Sequence, residues 1–129
     1  MPTAQWPLHG HRPSIEIMLH RPSGALARCL IADTGAGTGQ SMFQLILDEV
    51  DCLQSGGTLV GQIQLGGAYS GKFHVYLVDV HIPSLSFVDS VPIVGVSKVP
   101  QGFDGIAGFR FLNRFHYGNF GNPDTFGLA

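Results

Sequence analysis

Leu30-Ile31-Ala32-Asp33-Thr34-Gly35-Ala36-Gly37 is the stretch on which the reading of this chain turns. An apolar strand carries one carboxylate onto a turn that Gly35 keeps tight, with the Thr34 hydroxyl beside it. The strand, Ala25 to Ala32, is apolar on both faces apart from Arg28, which predicts a central, buried place in a sheet. Upstream, Ile15 to Leu19 reads as its neighbour, joined to it by the turn chemistry of Arg21-Pro22-Ser23-Gly24.

Downstream, the apolar spacing of Met42, Leu45, Ile46, Val50 and Leu53 predicts an amphipathic helix over 41–53, ended by Gly56-Gly57. Leu59 to Leu65 alternates, with Leu59, Ile63 and Leu65 on one face and Gln62 and Gln64 on the other. Gly66-Gly67 is a two-residue hairpin signal. Tyr69 to Val80 reads as the returning strand, its alternation slipping near Val78 as at a bulge. Two short strands follow near Leu85–Val88 and Val91–Val96, then a Gly-rich turn over 102–108, a short helix at Phe109–Phe115 and an apolar tail, Phe126-Gly127-Leu128-Ala129. Residues 1–13 hold three prolines, His9 and His11 and no periodicity, so they read as a flexible or loosely docked arm on a single domain, 14–129. Many short strands and no βαβ rhythm predict an all-β fold: a closed barrel of short antiparallel strands with one or two short helices.

At 129 residues the chain fits one core. Charged residues make up 12%, against roughly 25% in a typical domain, which implies surface buried against another subunit. Glycine, 18 residues, is about twice its usual share of roughly 7% and signals tight turns and close backbone approaches. A net charge of −2 gives no electrostatic case for nucleic acid. No apolar run approaches the roughly 20 residues of a membrane span, and no basic-then-apolar segment opens the chain, so a cytoplasmic protein is expected. Cys29 and Cys52 are too few for a disulfide framework and read as reduced thiols.

With Asp33-Thr34-Gly35-Ala36 stand two further elements: the Gly66-Gly67 hairpin, and Ile106-Ala107-Gly108 followed by a short helix. In this order, over about residues 15–117, the chain resembles the retropepsin-like aspartic proteases, the single-domain relatives of pepsin in retroviruses and bacteria. The resemblance implies an acid-protease-like barrel with one lobe per chain. It implies an aspartic endopeptidase that works as a homodimer on peptide or protein substrates, with two Asp33 carboxylates, one from each subunit, activating a water and no metal or cofactor taking part. By the same resemblance, Gly35 points its N–H at the carboxylate, Thr34 bonds across the dimer, and Ile106, Ala107 and Gly108 support the loop. Gly66, Gly67 and Tyr69 belong to a flap over substrate, and the apolar tail adds strands to the subunit interface. The chain departs from the retroviral pattern where Gly37 replaces an acidic residue and Phe109 intervenes before Arg110. The ion pair that supports the loop in viral enzymes therefore has no obvious counterpart.

Other readings compete. Asp33 alone could simply cap a turn or helix, and the same barrel could serve as a non-catalytic dimerisation or peptide-binding module. The glycines of 35–39 lack the spacing of a dinucleotide loop, and no Lys precedes Ser41 as a P-loop requires. Asp104 lacks a following hydroxyl residue and reads as a turn former beside Gly105. The six His show no metal-ligand spacing beyond His9-x-His11, and Cys29 in an apolar strand is a poor nucleophile.

Overall fold

A computed structural model describes residues 2–129, with the backbone alone for Ala68. The strands are β1 (Ala4–Pro7), β2 (Ser14–Arg21), β3 (Gly24–Ala32), β4 (Leu45–Asp48), β5 (Thr58–Leu65), β6 (Gly71–Ile82), β7 (Phe87–Val96), β8 (Gly105–Ala107), β9 (Tyr117–Gly118) and β10 (Thr125–Leu128). Two short helices, α1 (Glu49–Gln54) and α2 (Phe109–Leu112), complete it. The order β2-β3-β8-β4-β7-β6 closes on itself where Met18 and Leu19 of β2 pair with His81 and Val80 of β6. The result is the expected all-β barrel, here of six strands, with β5 hanging from β6 as the outer half of a hairpin. Two of its pairings, β3 with β8 and β4 with β7, are parallel rather than antiparallel.

The helix expected over 41–53 is instead a strand followed by one short helix. Leu45, Ile46 and Leu47 are buried between β7 and β8, so their unbroken apolar run is that of a strand covered on both faces. Met42, Val50 and Leu53, which complete the helical spacing in the sequence, are 41%, 54% and 56% exposed. The helix begins only at Glu49, where the Asp48 side chain accepts the Val50 N–H. Asp51 on α1 is buried and receives a bidentate ion pair from Arg28 of β3, both N···O distances being 2.8 Å. That pairing accounts for the one charge in an otherwise apolar strand.

Buried side chains divide between two clusters, one on each face of the barrel wall. The larger gathers Ile15, Ile17 and Leu19 with Leu30, Leu45, Leu47, Val80, Ile93 and Phe111. The smaller, made of Phe43, Ile46, Val75, Val94 and Val96, lies on the hairpin side and is covered by Ile63, Leu65, Tyr69 and Phe73. The strands read near 85–88 and 91–96 are one continuous β7. The bulge falls on β5, between Leu59 and Gly61, rather than near Val78, and leaves Leu59 57% exposed. Between Leu65 and Gly71 the hairpin turns through residues 66–70, five rather than two, with one 3-10 turn at Gly67–Tyr69. Within the stretch read as an arm, Ala4–Pro7 pairs antiparallel with Thr125–Leu128, and β9 pairs with Gly127 and Leu128 on the other side. The tail expected to lend strands to a partner thus has its ladder filled within its own chain. Among the described residues no helix is long and apolar enough to cross a membrane.

Candidate active site

Asp33 follows the last residue of β3, and its position is fixed by the backbone of two other segments. Its N–H donates to the Ala107 carbonyl (2.9 Å). Three residues on, Ala36 returns an N–H to the Asp33 carbonyl (3.1 Å) and accepts the Phe109 N–H on its own carbonyl (2.9 Å). The Gly108 N–H donates to the Gln44 carbonyl (3.0 Å). A methyl group at Gly108 would come within 2.8 Å of the Ala36 oxygen, so only glycine lets the segment pass this close beneath the loop. Ile106, Ala107 and Gly108 therefore lie under the Asp33 turn.

Within the turn, the Gly35 N–H donates to Asp33 Oδ1 at 2.9 Å, while Asp33 Oδ2 accepts no hydrogen bond among the described residues. Thr34 is exposed, and its hydroxyl likewise makes none. Gly37 adopts φ +80°, and the Ser41 hydroxyl packed against it accepts the Thr38 N–H at 2.7 Å. Arg110 Nη1 donates to the Ser41 carbonyl. The intervening Phe109 thus does not carry Arg110 away from the loop; the arginine grips a carbonyl in place of a carboxylate.

The β5–β6 hairpin arches over this loop. A cavity of about 450 Å³ separates them, with Asp33, Gly35 and Ala36 below and Ile63, Leu65 and Tyr69 above. A second cavity, about 360 Å³, opens on the other side of Asp33 between Ile31, Val99, Pro100 and Ile106. Asp33, Tyr69 and Ile106 line both, so a single cleft runs across the carboxylate. Burial raises the Tyr69 hydroxyl above its ordinary pKa and keeps it a proton donor at neutral pH. Gly66 also lines the first cavity, whereas Gly67 caps the tip with φ +66° and open space around it.

Among the described residues, Asp33 is the only acid that lines either cavity. Asp104 is occupied: its Oδ2 accepts the Cys29 N–H and its own N–H donates to the Cys29 carbonyl, both at 2.8 Å, which ties the turn before β8 to β3. Burial pushes the Cys52 thiol up to about 12 and raises that of Cys29, so neither supplies a thiolate near neutral pH. Among the described residues no group of three or more His, Cys, Asp or Glu is placed to hold a metal ion.

The sequence reading missed Arg12 and Lys98, which line the second cavity. Arg12 fell in the supposed arm, and Lys98 is a lone cation in a short loop; neither carries a local signal of its role. Comparison with protein-family models, with curated proteins and with solved structures finds no match to this chain.

Proposed function

We propose that this chain is one half of an aspartic endopeptidase, completed when a two-fold axis brings Asp33 of a second copy beside the first. One carboxylate takes a proton from a water as that water attacks the scissile carbonyl, and the other, protonated, hydrogen-bonds the carbonyl oxygen. Such a pair works because two carboxylates at hydrogen-bonding distance share one proton. A two-fold pairing supplies the second acid at no cost in chain length.

The observation that carries this reading is the setting of Asp33. Its Oδ1 is engaged by the Gly35 N–H, its Oδ2 is free, and it lies at the waist of a cleft roofed by a hairpin. A carboxylate that only capped a turn would need neither a cleft on both sides nor a roof. The hairpin excludes water and holds an extended peptide against the floor. Exposed Thr34 is free to bond across the two-fold axis.

Asp33→Asn, isosteric and still able to accept the Gly35 N–H, should lower peptide hydrolysis at least about 1,000-fold while leaving the melting temperature within a few degrees. In the unmodified protein, activity should fall faster than linearly on dilution, and a statine-type transition-state mimic should block it. Undiminished hydrolysis by Asp33→Asn would end this assignment.

A further inference from the structure

The two sides of the cleft differ in charge. Apart from Asp33, the larger cavity is walled by glycine, alanine, Ser41, Gln64 and apolar side chains, with no other ionisable group except the Tyr69 hydroxyl. The smaller cavity has apolar walls in Ile31, Val99, Pro100 and Ile106, but Arg12 and Lys98 also line it, and Asp33 is its only acid. Two of the seven Lys and Arg of a charge-poor chain are therefore gathered in one small space beside the candidate catalytic carboxylate.

Neither cation is used by the fold. Among the described residues, Arg28 and Arg114 are paired with Asp51 and Asp89, whereas Arg12 and Lys98 form no ion pair and no side-chain hydrogen bond. Yet the segments that carry them are locked together. The turn His9–Arg12 closes through reciprocal backbone hydrogen bonds of 3.0 and 3.1 Å, with Gly10 at φ +57° and His11 at φ +63°. A left-handed histidine is costly, and the surroundings hold it there. His9 Nε2 donates to the Gly102 carbonyl at 2.8 Å, and its ring meets Phe103 edge-on with centroids 4.9 Å apart. This clamp fixes the segment before β2, which carries Arg12, to the loop after β7, which carries Lys98.

We propose that this cavity is a subsite for an acidic substrate side chain, a glutamate in preference to an aspartate, next to the bond that is cut. The proposal rests on the endopeptidase reading for the word "cut", though not for the binding it describes. A glutamate lays its methylenes along Ile31, Val99 and Ile106 and sets its carboxylate between Arg12 and Lys98, whose charges have no competing partner. The neighbouring residue of the peptide, in the larger cavity, is apolar. The clamp pays in advance the ordering that the substrate would otherwise have to impose.

The test uses the full chain and a random peptide library, with cut sites read by mass spectrometry. The unmodified protein should cut with Glu enriched at one position adjoining the cleaved bond. The double variant Arg12→Glu with Lys98→Glu, both at exposed side chains, should lose that enrichment and favour Lys or Arg there. Matched Glu and Gln peptides should differ about tenfold in kcat/KM, the difference shrinking at high salt. Cleavage without acidic enrichment, or enrichment unchanged in the double variant, overturns the subsite. Should no cleavage dependent on Asp33 be found, the peptidase reading falls instead. The subsite is then judged by fluorescence anisotropy with the same end-blocked Glu and Gln peptides: a Glu preference lost in the double variant upholds it, and equal binding overturns it.

Discussion

Beneath the cleft, the Asp33 loop is tied by backbone hydrogen bonds to Ala107, Phe109 and, through Gly108, to Gln44. Above it, among the described residues, the turn 66–70 is joined to the molecule through its two strands and the packing of Tyr69, and a methyl group at Gly66 or Gly67 would meet no atom within 4 Å. The roof is tied instead at its root. There Tyr76 Oη donates to Glu49 Oε2 at 2.7 Å, and His74 Nδ1 lies 3.3 Å from the same oxygen, joining β6 to α1. On the proposed endopeptidase reading, the difference separates two demands on such a site. The group that reacts must be held in place, whereas the cover must open to admit a chain.

Substitutions can break or sharpen this contrast. The largest effect is expected in the floor. A methyl group at Gly105 would collide with the Ile46 carbonyl and come within 2.9 Å of Leu47 Cδ2, where β3, β8 and β4 meet. Gly105→Ala should therefore cost at least about 3 kcal/mol in chemical denaturation. A cost below about 1 kcal/mol would show the floor to be as pliable as the roof.

Next comes the root. The hydrogen bond to the Glu49 carboxylate, together with burial, pushes the Tyr76 hydroxyl up to about 12. Since the folded protein holds this proton more tightly than an unfolded chain, the bond's stabilisation is complete below the ordinary tyrosine pKa of about 10. It is lost as pH rises from about 10 to about 12. Tyr76→Phe should cost about 1.5 kcal/mol at pH 7. Over that alkaline window, denaturant titrations should show the variant losing less stability than the unmodified protein.

The smallest effect belongs to the tip. Gly67→Ala has room for its methyl group but not the right backbone, since φ is +66°. It should cost about 1 kcal/mol, or roughly 4 °C in melting temperature. Hydrogen exchange should quicken between residues 63 and 73 while the amides of Asp33, Gly108 and Phe109 keep their protection.

The sequence exposed the floor more fully than the roof, and physical reasons explain the gap. Asp33, Gly35 and Gly108 owe their positions to short-range rules, a tight turn and a close approach, which are written into residue types. The strand Leu45–Asp48 was hidden because full burial on both faces removes the alternation that marks a strand, and a chance spacing of Met42, Val50 and Leu53 completed a helical period. Asp48, an N-cap, was the overlooked sign that the helix starts late. The bulge on β5 shifted the face of Leu59 without any local mark beyond Gly61. Arg12 and Lys98 come to line one cavity through the fold, 86 positions apart in the chain, and no window on the sequence spans that distance.

The small sheet of β1, β10 and β9 has one more implication, for the order of events. The buried Leu128 and the ladder of β10 are completed by residues of the same chain, Ala4 to Pro7 on one edge and Tyr117 to Gly118 on the other. The β10 ladder is therefore complete without a strand from any second copy. On the proposed reading, two copies meet as bodies whose small sheets are already complete, and that meeting is the step that depends on concentration.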